Sequence, residues 1–250
     1  MIELKTNEEI RIMEEGARRL KIVLVKLKPS IKPGITTKQI NEIADKLIKK
    51  VGGEASFKKV KGYHWATCLS INEQVVHTPP SPRAVKDGDL LTIDIGLYYQ
   101  GFHCDYADSF IVGRADDPRL TQFLKVGKET LVKATKKFKK NNHLGDVSHT
   151  IEAEINGHGY FVIKQLTGHG IGRQLHEDPY ILGYLDRPIN KTSLIKPGLV
   201  VAIEVIYSMG SEEVVYKEGD KWSLVTKDGS TAACFEHTVA ITDKDTVTLT

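Results

Sequence analysis

Lys86-Asp87-Gly88-Asp89-Leu90-Leu91-Thr92-Ile93-Asp94 returns 110 residues later as Lys196-Pro197-Gly198-Leu199-Val200-Val201-Ala202-Ile203-Glu204. In each stretch Lys-x-Gly makes a turn, and an apolar strand then runs into a carboxylate after isoleucine. A lone carboxylate between β-branched neighbours, as in Ile93-Asp94-Ile95 and Ile203-Glu204-Val205, reads as buried. Burial of a carboxylate is costly unless its charge is compensated. Two copies are too few for a solenoid. They predict a duplicated α+β half, each copy bringing one carboxylate to a pseudo-twofold axis.

Working outward, each copy is preceded by two helices. Thr6 and Glu9 have capping-box spacing, and Ile10, Met13, Ala17, Leu20, Leu24 and Leu27 recur at helical period up to Pro29. Thr36 or Thr37 caps a second helix carrying Ile40, Ile43, Ala44, Leu47 and Ile48, which Gly52-Gly53 ends. Strands and turns follow from Phe57 to Val112. Asp117-Pro118 opens a third helix with Leu120, Phe123, Leu124, Leu131, Ala134 and Phe138 as its apolar positions. A shorter helix spans about Gly145 to Asn156, and strands resume at Phe161. With no Ser/Gly-rich linker, residues 1–250 read as a single catalytic domain, with halves at about 1–115 and 116–250.

Composition narrows the class. Apolar residues make up 40% and charged residues 27% of the chain, as in an ordinary globular protein. No apolar run is long enough to span a membrane. The net charge of +3 is too small to mark a nucleic-acid protein. Met1-Ile2-Glu3-Leu4-Lys5 lacks the basic and then apolar regions of a signal peptide. Cys68, Cys104 and Cys234 are odd in number and far apart, which argues for a reducing compartment. A cytoplasmic location is the expectation.

Five side chains are candidate ligands for hard metals: Asp94, Asp105, His169, Glu204 and Glu236. Gly96-Leu97-Tyr98-Tyr99-Gln100-Gly101 reads as a hairpin connection that would bring Asp94 and Asp105 close to the same rung of a ladder. Two carboxylates so close would repel unless cations lay between them; the alternative is one buried neutral acid and one exposed acid. His169 stands between glycines in Gly168-His169-Gly170, accessible for ligation or simply a surface histidine. Glu236 enters the apolar strand that continues to Ile241. Four carboxylates, one imidazole and no thiolate suit two divalent cations such as Mn²⁺, Fe²⁺ or Co²⁺ better than a structural zinc ion. Cys104 and Cys234 read as core filler. The basic stretch from Lys133 to Lys140 reads as a solvated helix face, with contact to ribosomal RNA as the sharper alternative.

From about Lys5 to Thr250 the chain resembles the type I methionine aminopeptidases of the pita-bread (creatinase/aminopeptidase) metallopeptidase family. The resemblance is carried by Ser70-Ile71-Asn72-Glu73 through His77, Asp94-x10-Asp105, Gly168-His169-Gly170-Ile171-Gly172, His176-Glu177, Ile203-Glu204 and Glu236-His237-Thr238. It implies an antiparallel sheet covered by helices, with two pseudo-twofold halves. It also implies a two-metal site on the five candidate ligands, with Asp105 and Glu236 bridging the ions. The family's reaction is removal of the initiator methionine from nascent proteins with a small second residue, through attack by a metal-bridging hydroxide. By the same resemblance His176 would stabilise the oxyanion, His77 would contact the scissile amide, and Glu204 would shuttle the proton. A monomer is the family expectation. The type I assignment follows from the 27 residues between His176 and Glu204, where type II relatives insert a helical subdomain.

Tyr63, Cys68 and Trp222 match family positions around the methionine side chain. The chain departs from the best-known bacterial pattern at Val60 and Leu175, where those examples have aromatic rings, and the expected pocket is wider for it. His77 is followed by Thr78-Pro79 in place of Gly-Ile-Pro, and Glu204 by Val205 in place of proline. Two other readings compete. A proline-specific peptidase shares the fold but usually carries an additional N-terminal domain. A binding protein that has lost catalysis would not need all seven residues of the ligand and histidine set.

Overall fold

The computed structural model describes residues 2–250, so Met1 of the expected 1–250 span lies outside the described residues. Helix α1 covers Asn7–Leu27. Its capping box closes as expected: the Thr6 hydroxyl accepts from the Glu9 amide, and Glu9 accepts from the Thr6 amide at 2.8 Å. Such caps contribute about 1 kcal/mol. The second helix, α2 (Thr37–Lys50), is capped by Thr36 with Gln39, which decides between the two threonines. Helix α3 (Pro118–Lys137) starts at Asp117, whose carboxylate accepts from the Arg119 amide. It stops one residue short of Phe138, so Lys139 and Lys140 of the basic stretch lie beyond it. Helix α4 covers Leu144–Gly157.

A nine-stranded sheet runs through both halves. Its main strands are β1 (Thr67–Ile71), β2 (Leu90–Ile95), β3 (Tyr106–Ile111), β4 (Thr167–Gly170), β5 (Glu177–Leu182), β6 (Val200–Ser208) and β7 (Ala232–Ile241). The spatial order is β5-β4-β6-β7-β3-β2-β1, all antiparallel, so β1-β2-β3 faces β7-β6-β4 across the β3–β7 seam. The repeated turn recurs in detail. Gly88 and Gly198 adopt φ +85° and +88°, a left-handed conformation that favours glycine. Thr36 bridges Ala84, and His143 bridges Leu194 in the second copy.

Alternation along the strands sorts the two faces. Leu91, Ile93 and Ile95 pack with Ala17, Leu20, Ile40 and Ala44 of α1 and α2. Val201, Ile203, Val205 and Tyr207 pack with Phe123, Leu131, Val147 and Ile151 of α3 and α4. Each such aliphatic side chain adds about 1.5–3 kcal/mol on burial, so the helices are held to one face. Asp94, Glu204 and Glu236, at alternate positions, are left on the other. Cys104 and Cys234 are core residues, and all three cysteines are free.

Residues 97–104 do form a hairpin, Leu97–Tyr99 with Phe102–Cys104, but it pairs with Glu54–Ala55 in a separate small sheet. That excursion removes it from the main ladder. Asp94 stands opposite Ala107, and Asp105 lies two residues before Ala107, close to the same rung as expected.

Candidate metal centre

One row of partners crosses five strands: Cys68 to Asp94, Asp94 to Ala107, Ala107 to Glu236, and Glu236 to Glu204. Directly paired residues share a face, so three carboxylates line up with the small side chain of Ala107 between them. His169 joins from β4, opposite Ala202, the next residue on that face of β6. Asp105 is anchored by Thr238, whose hydroxyl accepts from its amide and donates to its carbonyl, both at 2.9 Å. Donor atoms of Asp105, His169 and Glu236 lie within 4.8 Å of one another. His169 Nε2 is 3.5 Å from Glu204 Oε1, while its Nδ1 is 2.9 Å from the Gly170 carbonyl. That second contact turns Nε2 toward the carboxylates in the tautomer a metal ligand needs.

The electrostatics call for cations. Burial, then repulsion from Asp105 and Glu204, pushes Asp94 well above the usual carboxylate range. Glu204 and Glu236 are raised in the same way, and burial lifts Asp105 to about 7. Asp94 Oδ1 and Glu236 Oε1 are buried without a hydrogen-bond partner. Among the described residues, the only ion-pair partner of these four carboxylates is His169. Orphaned, mutually repelling oxygens with one nitrogen fit divalent ions.

His77 and His176 reach the same cavity, His77 from the turn after Gln74–Val76 and His176 from just before β5. Desolvation by the surrounding walls disfavours the protonated form of both; with His176 as a like-charged neighbour, His77 is held at about 4. The His176 ring lies edge-on to His169 at 4.5 Å. His77 adopts φ +58°, a conformation uncommon outside glycine and concentrated at functional sites.

The cavity holds about 120 Å³, on the scale of the ~150 Å³ cavity that accommodates a benzene ring. It therefore takes one side chain. All ten residues picked from the sequence line it: Asp94, Asp105, His169, Glu204, Glu236, His77, His176, Tyr63, Cys68 and Trp222. So do Val60 and Leu175. Tyr63 donates to the Thr67 carbonyl, its hydroxyl oxygen lies 3.1 Å from Cys68 Sγ, and its ring packs edge-on against Trp222 with centroids 5.1 Å apart. Phe57 also lines the cavity and had no signal in the sequence. It sits in the short 3-10 segment Ser56–Lys59, where no periodicity marks a side chain as facing a site.

Metal binding is expected to stabilise the fold. Protein stripped with a chelator and resupplied with Mn²⁺ at a hundred times Kd should gain about 2.7 kcal/mol. At about 2–4 °C per kcal/mol for a chain of this size, calorimetry should show a rise of about 5–10 °C. An unchanged melting temperature would mean that the cluster does not hold the ion.

The sequence profile of metallopeptidase family M24 matches residues 11–243, and the chain belongs to that family. Within it, the chain is 41% identical over 244 residues to methionine aminopeptidase 1 of Bacillus subtilis, covering 97% of this chain and 96% of that one. It is 38% identical over 241 residues to the methionine aminopeptidase of Clostridium perfringens, covering 96% and 95%. The crystal structure of methionine aminopeptidase from Thermotoga maritima superposes with a TM-score of 0.95 at 39% identity, covering 100% and 99%. The prolidase of Pyrococcus horikoshii shares the fold, with a TM-score of 0.77 at 20% identity, but only 62% of its length is covered.

Proposed function

We infer that this protein is a metal-dependent aminopeptidase that removes N-terminal methionine. The observation that carries the reading is that one small cavity is lined both by the carboxylate row and by Tyr63, Cys68 and Trp222. The test is cleavage of Met-Ala-Ser against Ala-Pro-Ala with divalent metal added. Release of methionine alone is expected. Cleavage of Ala-Pro-Ala would indicate a proline-specific peptidase, and cleavage of neither a binding protein.

The finer assignments are part of the proposal. Asp94, Asp105, His169, Glu204 and Glu236 would hold two divalent ions of the Mn, Fe or Co type, with Asp105 and Glu236 serving both. When bound, the ions supply Lewis-acid activation of water and of the peptide carbonyl. His77 and His176, neutral at pH 7, each offer one N–H. His176 serves the developing oxyanion and His77 the scissile amide. Glu204 carries the proton to the leaving amine. A small second residue (Gly, Ala, Ser, Thr) is preferred beside the carboxylates.

Residues 1–250 act as a single catalytic domain of halves at about 1–115 and 116–250. The protein works as a monomer in the cytoplasm on the N-termini of nascent chains. Among the described residues no helix is long and apolar enough to cross a membrane. Lys136, Lys137, Lys139 and Lys140 are exposed. A ribosome contact through them would appear as co-sedimentation that weakens steeply with salt.

Side-chain selection is expected to be relaxed by Val60 and Leu175. Losing methylene-scale contacts lowers discrimination by about 1–3 kcal/mol. Methionine should remain preferred, with leucine and norleucine cleaved better than by a relative with rings at both positions. Kinetics on Met-, Leu- and norleucine-Ala-Ser, repeated on Val60→Phe/Leu175→Phe, check this; equal discrimination in the two forms would remove these residues from the pocket's selectivity.

A further inference from the structure

His176 and Leu175 lie on the irregular segment between β4 and β5. The segment has few backbone ties: Ile171 N–H to the Val200 carbonyl at 3.2 Å, Gly172 N–H to the Gln174 carbonyl at 3.1 Å, and His103 N–H to the Gly172 carbonyl at 2.7 Å. The ladder itself slips where β5 begins, from Glu177 opposite Gly170 to Tyr180 opposite His169. Register alone therefore does not orient His176.

A side chain from the far end of the chain supplies the missing constraint. Lys5 Nζ binds Glu177, the residue directly after His176, and the pair is almost entirely shielded, with side chains 2% and 8% exposed. The other oxygen of Glu177 accepts the Gln174 amide at 2.9 Å, so the carboxylate closes the turn that presents Leu175 and His176. Lys5 is fixed in turn: its Nζ donates to the Glu3 carbonyl at 2.9 Å and its amide to the Gly198 carbonyl at 2.7 Å. Its path exists because position 172 is glycine; a Cβ there would overlap the Lys5 side chain. Arg173, held by Glu9 at 2.6 Å, adds a second but more exposed tie to the same N-terminal segment. Buried ion pairs contribute little net stability compared with apolar replacements, but breaking one strands a charge. A pair built at this cost beside His176 is explained by geometry.

We propose that Lys5, acting through Glu177, is a positioning residue for His176. The proposal rests on the reading above in which His176 serves the reaction. The variant Lys5→Met/Glu177→Gln removes both charges at similar size. With Met-Ala-Ser as substrate and Mn²⁺ supplied, it should keep its melting temperature, its metal content and nearly its KM. Its kcat should fall about 10–100-fold, the range seen for supporting groups and for displacements near 1 Å. Lys5→Arg should retain most of the activity, and Lys5→Gln/Glu177→Gln, which strands no charge, should show the same kcat effect if the first paired variant fails to fold. In a His176→Ala background the paired substitution should cost little more, since both changes remove one function. An unaltered kcat in the paired variant, or an equal loss with and without His176, would overturn the proposal. No cleavage of Met-Ala-Ser by the unaltered protein would overturn instead the functional reading beneath it.

Discussion

Asp105→Ala or Glu236→Ala is expected to lower methionine release by at least about 10³-fold, equivalent to about 4 kcal/mol of transition-state stabilisation, and to reduce bound metal. Both residues are buried, and both have donor atoms in the close triad with His169. Glu236 also stands in the transverse row, opposite Glu204 and Ala107. Removing either leaves too few oxygens to balance two dications. It also relieves repulsion among the remaining carboxylates, so the metal-free variant should fold well, and this separates loss of function from loss of structure. Activity assays with elemental analysis and calorimetry on the same samples check all three points. Near-normal turnover in Asp105→Ala would sink the dimetal reading.

His176→Ala is expected to lower kcat by about 10²–10³, the usual cost of one oxyanion donor. Metal content should change little. The distinction follows from position: the His176 ring sits 4.5 Å edge-on from His169, while the close donor triad comprises Asp105, His169 and Glu236. KM should move less than kcat, because the contact is made chiefly in the transition state. If the variant loses its metals together with its activity, His176 is a ligand and its role here is wrongly assigned.

The parts of this molecule legible in the sequence are those written in periodic elements. Asp94 and Glu204 could be found because each breaks an apolar strand at the same point of a repeated unit, and the helix stripes could be found because α1 to α4 each bury one face. The relation of Asp105 to Asp94 was only partly legible, since the excursion at 97–104 depends on pairing with Glu54–Ala55, remote in sequence. Tyr63, Cys68 and Trp222 were found through family resemblance alone. Phe57 was not found at all: in short 3-10 turns no spacing rule separates a wall residue from a loop residue. Lys5 was invisible for another reason: a lysine ordinarily means solvent, and its buried partner Glu177 is remote in sequence.

The β3–β7 seam has a kinetic meaning. Two ladder pairs, Ala107 with Glu236 and Tyr106 with His237, join the halves there, with side-chain hydrogen bonds from Thr238 to Asp105 and from Ser109 to Cys234 beside them. Asp94 and Asp105 belong to the first half, and His169, Glu204 and Glu236 to the second. Neither half alone carries all five proposed ligands, so ions held by that set would bind only once the most distant contacts had formed. Interactions absent from the transition state slow unfolding without hastening folding. Metal should thus act as a latch on the finished protein instead of a template for it, and the thermal gain on adding Mn²⁺ should reside in a slower unfolding rate.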